Sequence, residues 1–229
     1  MGNVSLQVET FITGPLDNNV YLLHDTSARE AVIVDPSIAC DAAMLRMRHL
    51  REEGIKLTAI WNTHGHFDHI YDNARWRTIF GPPIWAHRDD AFWFERLREQ
   101  SLWMGLQPPP PALPDQWFEA DQTVTVGAHS ASVIHTPGHS PGSVTFYFAS
   151  ENLCVSGDVL FRDSVGRTDL PGCSFQQLGQ SLRTLFALPG DTQILPGHGK
   201  PTTISRERAH NPFCQDIENI SKENLDAGP

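Results

Sequence analysis

Short apolar segments bounded by turn residues recur in both halves of the chain and predict β-strands. The segments in the first half are SLQVETF, NNVYLLHD, EAVIVDPS, KLTAIWNT and PIWAH, and those in the second half are QTVTVG, SASVIHTPG, GSVTFYFAS, NLCVSGDVLF and DTQILPG. Alternating or continuous apolar runs of about four to eight residues between Gly, Pro, Asn and Asp are typical of strands. Each half therefore predicts a sheet of its own.

Segments with the periodicity of α-helices lie between these predicted strands. Residues 41–53 place Met44, Leu45, Met47 and Leu50 on one face, and Gly54 ends the pattern. Three further helices are predicted over residues 69–80, residues 89–104 and roughly residues 174–187. Strands followed by helices in each half favour two sheets packed face to face with helices outside over a doubly wound parallel sheet.

Two segments allow alternative interpretations. The predicted helix over residues 89–104 has an aromatic face, which either packs into the core or forms a dimer face or a cleft wall. The proline-rich segment over residues 105–117 is either an extended surface connection or a loop at the edge of a cleft. No stretch between the halves has the composition of a flexible linker, so we expect one domain over residues 1–216 and a loosely held tail over residues 217–229.

Composition restricts the partners and the location of the protein. A net charge of −10 argues against non-specific binding to nucleic acid or to an acidic membrane. The sequence has neither a secretory signal pattern nor an apolar run near the ~20 residues of a membrane span. Its 4 cysteines are scattered, which indicates reduced thiols and a cytoplasmic protein. We expect a monomer or a homodimer.

Histidine and aspartate are concentrated where apolar segments end. The segment AIWNTHGHFDHI, residues 59–70, contains four of these residues, and three more follow later strands in HTPGHS, VSGDVLF and ILPGHGK. The complete set is His64, His66, Asp68, His69, His139, Asp158 and His198. Because the ends of several strands can meet at one edge of a sandwich, we expect these side chains to converge.

Imidazole and carboxylate groups without cysteine are the ligands of catalytic Zn²⁺, Fe or Mn rather than of a structural thiolate zinc site. Five histidines and two aspartates exceed the four ligands of one tetrahedral zinc. The set therefore predicts two divalent metal ions, most simply zinc with iron or manganese as alternatives, and one carboxylate that bridges them.

The motifs THGHFDH, TPGHSPGS, GDVLF and PGHG resemble those of the metallo-β-lactamase superfamily, whose fold is a four-layer αββα sandwich of the α/β (α+β) class. The resemblance implies that His64, His66 and His139 hold one metal ion. It implies that Asp68, His69 and His198 hold the other ion and that Asp158 bridges both, so that Asp68 and Asp158 are also the candidate catalytic residues.

Within that superfamily, GDVLFRDSVGRTDLPG and LPGHGKPTTISRERAHNPF are similar to the glyoxalase II group and most like its short, single-domain members. Those enzymes hydrolyse thioesters of glutathione, so the resemblance implies a small-molecule thioester such as S-D-lactoylglutathione as substrate. The chain departs from the long members at residues 167–169, where they carry a Lys and a Tyr. Arg167 either binds a substrate carboxylate or forms a structural ion pair, and Lys200 either binds a substrate carboxylate or is a solvated surface charge. Asp35 either orients a ligand histidine or is an ordinary turn residue.

Other functions remain open at this point. Persulfide dioxygenases resemble the same superfamily and use one iron, for which His64, His139 and Asp158 would be the ligands. A metal-stabilised binding protein is the alternative without catalysis, and hydrolases of lactones or phosphodiesters are further candidates. True β-lactamases match poorly, because they are exported and many carry Cys at the position of Asp158.

Overall fold

The protein, described by a computed structural model over residues 5–119 and 121–214, contains two six-stranded sheets. The first sheet has the order β1-β2-β3-β4-β5-β6. Its strands are β1 (Gln7–Thr13), β2 (Asn18–Asp25), β3 (Glu30–Val34), β4 (Lys56–Trp61), β5 (Ile84–His87) and β6 (Gln116–Phe118). Strands β1 to β3 are antiparallel neighbours, and β3 to β6 pair in parallel.

The second sheet has the order β14-β13-β10-β9-β8-β7, and a two-stranded ribbon lies between β10 and β13 in the sequence. The strands of this half are β7 (Thr123–Val126), β8 (His129–His135), β9 (Val144–Phe148), β10 (Leu153–Gly157), the ribbon β11 (Leu160–Phe161) and β12 (Ser164–Val165), β13 (Gln193–Pro196) and β14 (Thr202–Thr203). Only β10 and β13 pair in parallel, and the other neighbours are antiparallel.

Seven α-helices surround the two sheets in the described part of the chain. They are α1 (Asp41–Glu52), α2 (Phe67–Ile70), α3 (Asn73–Phe80), α4 (Ala91–Glu95), α5 (Leu97–Trp103), α6 (Phe175–Phe186) and α7 (Ile204–His210). Ser174 caps α6 with its side chain, which accepts a hydrogen bond from the Gln177 amide. Among these helices none is long and apolar enough to cross a membrane.

Side chains that alternate along each strand pack on opposite faces of its sheet, and this alternation shows how the sheets and helices are layered. In β2, Tyr21 and Leu23 point into a cluster that lies between the sheets with Trp61 and Phe146, whereas Val20 and Leu22 pack with α1 on the outer face. The sequence analysis also placed Leu45 on the apolar face of α1, but Leu45 is 55% exposed. Leu178, Leu182 and Leu185 of α6 cover the other outer face with Cys154 and Ile194. The αββα arrangement predicted from the sequence is therefore confirmed.

Two predicted helices are each divided, which corrects the sequence analysis. The helix expected over residues 69–80 is interrupted because the Asp72 amide donates to the Pro36 carbonyl at 3.0 Å instead of continuing α2. The helix expected over residues 89–104 begins with a 3-10 turn at Arg88–Asp90 and bends at Arg96. There the Gln100 side chain donates to the Trp93 carbonyl at 2.7 Å.

The proline-rich segment also differs from a plain surface connection. Its last two residues, 116 and 117, begin β6, Ala112 is buried in the cluster under α1, and the Gln107 carbonyl accepts a hydrogen bond from Tyr71. The predicted boundary at residue 216 and the predicted tail over residues 217–229 lie outside the described residues.

Candidate metal centre

The seven predicted residues meet at one edge of the sandwich. His64, His66, Asp68 and His69 lie on the loop after β4 and on α2, and the other three follow β8, β10 and β13: His139, Asp158 and His198. Six of them are buried, and His198 is half-buried. The expectation that these strand ends converge is confirmed, since residues up to 134 positions apart in the chain share one cluster.

Their polar atoms form two adjacent groups that could each hold a metal ion. The ligand atoms of His64, His66 and His139 lie within 4.8 Å of one another, and so do those of Asp68, His69 and His198. Asp158 lies between the groups, with Oδ2 3.5 Å from both His139 Nε2 and His198 Nε2. This is the division that the resemblance implies, and the role of each residue as a ligand stays a prediction.

Backbone carbonyls orient two of the imidazoles. His139 Nδ1 donates to the Arg167 carbonyl at 2.9 Å, and His198 Nδ1 donates to the Leu16 carbonyl at 2.9 Å. A neutral imidazole that donates from Nδ1 has a free lone pair on Nε2. Both Nε2 atoms therefore face the cluster, where the neutral ring would present a lone pair to a metal ion.

Asp35 orients a third imidazole, which resolves the alternatives left by the sequence. The Asp35 carboxylate accepts hydrogen bonds from the Thr63 amide at 2.7 Å and the Thr63 hydroxyl at 2.6 Å, and Oδ2 lies 3.0 Å from His69 Nδ1. Its φ of 51° is in the left-handed region, which Asp tolerates better than most residues. The interpretation of Asp35 as a partner of a cluster histidine is confirmed.

The cluster contains polar atoms that the protein itself does not satisfy. Within residues 5–119 and 121–214, buried His64 Nε2, His66 Nε2 and Asp158 Oδ1 have no hydrogen-bond partner. A buried polar atom without a partner costs about 1–3 kcal/mol, so such atoms are rare unless a ligand completes the site. Lone pairs of imidazole and carboxylate in this arrangement fit divalent metal ions.

Burial and mutual contact displace the protonation equilibria of the cluster. Burial, with further contributions from neighbouring histidines, lowers the pKa values of His64 and His66 well below the ordinary histidine value. Burial would also lower the pKa of His69, but Asp68 and Asp158 outweigh it and raise that pKa to about 10. Conversely, burial alone would raise the pKa of Asp68, but His69 and His198 hold it below its usual range. His64 and His66 thus favour the neutral form, whereas His69 is electrostatically paired with carboxylates.

The structure adds Asn18, which the sequence analysis did not identify. Asn18 Nδ2 donates to Asp68 Oδ2 at 2.8 Å and lies 3.3 Å from His69 Nε2. The residue begins β2 and is buried. An asparagine after a Gly-Pro-Leu-Asp turn is an ordinary turn residue in the sequence, so no local signal identified it.

Asp90 is the second addition. This fully buried carboxylate accepts hydrogen bonds from the Gly65 amide at 2.7 Å, the Ser140 hydroxyl at 2.7 Å and the Gly142 amide at 2.6 Å. It therefore joins the loop of His64 and His66 to the loop of His139. Burial raises the pKa of Asp90 above the usual aspartate value, and the three donors oppose that effect.

Close backbone approach requires glycine at residue 197. A Cβ atom there would lie 2.1 Å from Asp158 Oδ1 and 2.7 Å from His69 Cε1, distances that no real Cβ atom shows. The PGHG motif thus contributes His198 and also leaves the room that the Asp158 carboxylate occupies.

A cleft of about 420 Å³ opens beside the cluster. Arg167 lines it, with a side chain that is 61% exposed and paired with Asp169 at 2.7 Å and 2.8 Å. Lys200 is exposed and is not among the residues that line this cleft. Of the two candidates for substrate carboxylates, the structure therefore brings only Arg167 to the cleft, and neither role is tested.

The aromatic segment over residues 89–104 has a divided role. Phe94 is buried in a small cluster with Ile70 and Leu97, whereas Trp93 and Trp103 line the cleft. Both core packing and the cleft wall, which the sequence left as alternatives, thus occur in the same segment.

Comparison with known proteins agrees with the fold and the site. The family profile of the Metallo-beta-lactamase superfamily matches residues 13–198. The chain is 33% identical to the hydroxyacylglutathione hydrolase GloC of Haemophilus influenzae over 211 residues, covering 91% of this chain and 98% of that protein. The BLEG-1 B3 metallo-beta-lactamase has a similar structure, with a TM-score of 0.81, 37% identity and coverage of 91% and 99% of the two chains. This similarity contradicts the expectation that true β-lactamases match poorly.

TTHA1623, solved in a di-iron-bound form, is also similar, with a TM-score of 0.79, 35% identity and coverage of 90% of this chain and 100% of that one. Members of this superfamily are metal-dependent enzymes, mostly hydrolases. The profile match spans every residue of the cluster. The protein belongs to the metallo-β-lactamase superfamily.

Proposed function

We propose that the protein is a metal-dependent thioester hydrolase that cleaves S-(2-hydroxyacyl)glutathione, such as S-D-lactoylglutathione, to a hydroxy acid and glutathione. The observation that carries the proposal is the pair of adjacent His and Asp groups, joined by Asp158, at the base of an open cleft. The similarity to GloC supports glutathione thioesters as the substrate class.

One divalent cation would be held by His64, His66 and His139, and the other would be held by Asp68, His69 and His198. Asp158 would contact both cations. Zinc is the metal that we propose first. Divalent cations in such a centre lower the pKa of water towards ~7 and polarise a carbonyl group. The protein contributes the orientation of the imidazoles through Asp35 and through the carbonyls of Leu16 and Arg167.

The titratable groups of the cleft favour a thioester over an amide. Those that line it are His66, Asp68, His139, Asp158, Arg167 and His198. All except Arg167 belong to the proposed ligand set, so among the lining residues none is free to act as a general acid. A thiolate whose parent thiol has a pKa of ~8.5 can leave without a proton, whereas an amide nitrogen needs one.

The test is hydrolysis of S-D-lactoylglutathione by protein that has been stripped and reloaded with zinc, followed by the loss of thioester absorbance. We expect kcat/KM of about 10⁴ M⁻¹s⁻¹ or more, within the ordinary enzyme range. An Asp158→Asn variant should lose this activity, and His49→Ala, on the exposed face of α1, should keep it. Negligible turnover by the fully loaded protein would refute the proposal.

A second candidate is an iron-dependent persulfide dioxygenase. His64, His139 and Asp158 supply the two histidines and one carboxylate that non-haem Fe(II) chemistry requires, and Asp158 Oδ2 lies 3.5 Å from His139 Nε2. The di-iron form of TTHA1623 supports iron as an alternative metal. Oxygen uptake by iron-loaded protein on addition of glutathione persulfide, without thioester hydrolysis by the zinc form, would favour this candidate.

A further inference from the structure

The cleft beside the metal centre has a largely apolar wall. Its apolar members come from four separate parts of the chain: Leu16, Phe67, Trp93, Trp103, Met104 and Leu170. They share the cleft with His66, His139, Asp158 and His198, so the apolar wall is continuous with the proposed reaction centre. Any group attached to a carbonyl held at that centre must lie against part of this wall.

Three of these side chains are substantially exposed within the described part of the chain rather than packed into the core. Trp103 is 71% exposed, Met104 is 51% exposed and Leu16 is 40% exposed. Large apolar side chains that gather around a concave site, rather than scatter singly, usually mark a surface that binds an apolar ligand. The gathering beside the cluster therefore indicates a subsite for an apolar group.

The charges of the cleft are few. Arg167 is the one cationic Lys or Arg side chain among the residues that line it, and Asp169 already pairs with its guanidinium at 2.7 Å and 2.8 Å. Lys200 lies outside the lining. The lining therefore offers the carboxylates of glutathione one cationic side chain, which is already paired, whereas it offers an apolar group several side chains to contact.

If the protein hydrolyses thioesters as proposed above, we infer that its preferred substrate carries a bulky apolar acyl group, aromatic or aliphatic, seated against Trp103, Met104 and Phe67. The small, polar lactoyl group leaves this wall exposed to water. Each methylene buried against it should raise kcat/KM about fourfold, following ~0.8 kcal/mol per CH₂.

Binding can be measured without turnover by comparing two thioethers, S-hexylglutathione and S-methylglutathione, by calorimetry on the zinc-loaded protein. We expect the hexyl compound to bind at least about tenfold more tightly, because several methylenes are buried. Trp103→Ala should remove most of that difference. Leu102→Ala is the matched control, since Leu102 is 53% exposed on the same helix but does not line the cleft. Equal affinity for the two thioethers would overturn the inference.

Hydrolysis of S-D-lactoyl-, S-mandeloyl- and S-hexanoylglutathione then tests the acyl position, with a lactoyl thioester of hexanethiol as the comparison. A rise in kcat/KM from lactoyl to the two apolar acyl groups, lost in Trp103→Ala, supports the inference. The inference is overturned if kcat/KM rises for the lactoyl thioester of hexanethiol instead, or if kcat/KM is equal for all acyl groups. Tight, Trp103-dependent binding of S-hexylglutathione without hydrolysis of any thioester would support the apolar subsite and refute the proposed activity, so the two failures are distinguishable.

Discussion

Removal of the Asp90 carboxylate should loosen the metal centre without touching any proposed ligand. Asp90 holds the Gly65 amide and the Gly142 amide, one from each of the two loops that carry His64, His66 and His139. In Asp90→Ala both amides lose a buried acceptor, whereas Ser140 keeps Ser143 Oγ at 2.8 Å. At about 1–3 kcal/mol for each stranded donor, we expect a loss of about 2–6 kcal/mol in the free energy of unfolding.

Asp90→Asn is the more discriminating variant, because it preserves the shape of the side chain. Its one carbonyl oxygen can accept from one loop, but its amide nitrogen then faces a donor of the other loop. We expect a loss of about 1–3 kcal/mol. Misplacement of the loops should also weaken zinc binding by about 10- to 100-fold, the usual effect of removing a partner of a ligand.

Urea unfolding measures the first quantity, and competition with a chromogenic chelator measures the second. Asp89→Asn is the control, since this neighbouring carboxylate is 55% exposed and should change stability by less than about 0.5 kcal/mol. If Asp90→Asn matches the wild type in both stability and zinc affinity, Asp90 does not join the two loops in the way described.

Three further outcomes are expected. His139→Ala should reduce activity and bound zinc by more than about a hundredfold, because an ion would lose a proposed direct ligand, and His49→Ala should change neither; equal effects of the two would exclude a specific role for His139. Asp35→Asn should weaken zinc binding by about 10- to 100-fold while thioester KM changes little, since Asp35 acts on His69 and not on substrate; a change confined to KM would contradict this. When the free metal concentration is ~1,000 times Kd, metal binding should add ~4 kcal/mol to the free energy of unfolding. Removal of the metal by a chelator should therefore lower Tm by about 8–16 °C in calorimetry, and an unchanged Tm would show that no metal stabilises the fold.

The interruptions of the two predicted helices show where apolar periodicity in the sequence fails to predict the helix ends. The apolar spacing over residues 69–80 suits one helix, yet the Asp72 amide bonds to Pro36, which follows a strand of the first sheet. Similarly, the Gln100 side chain donates a hydrogen bond to the Trp93 carbonyl and stabilises a bend that the sequence pattern over residues 89–104 does not predict. In the first case a contact with a distant residue competes with helix formation, and in the second a side chain seven positions away does so; helix propensity is a weak preference that such contacts can override.

The sequence by itself determined the two sheets, the layers and the cluster, because period-2 alternation and a dense His-Asp motif at strand ends are local signals. Tertiary structure alone decided which residues support that cluster. Asn18 and Asp90 reach it from β2 and from the segment after β5, and the Arg167 carbonyl reaches His139 across 28 positions. The apolar cleft wall likewise combines Leu16 with Trp103. Such contacts depend on how strands and helices pack, and a single chain read in order contains no signal for them.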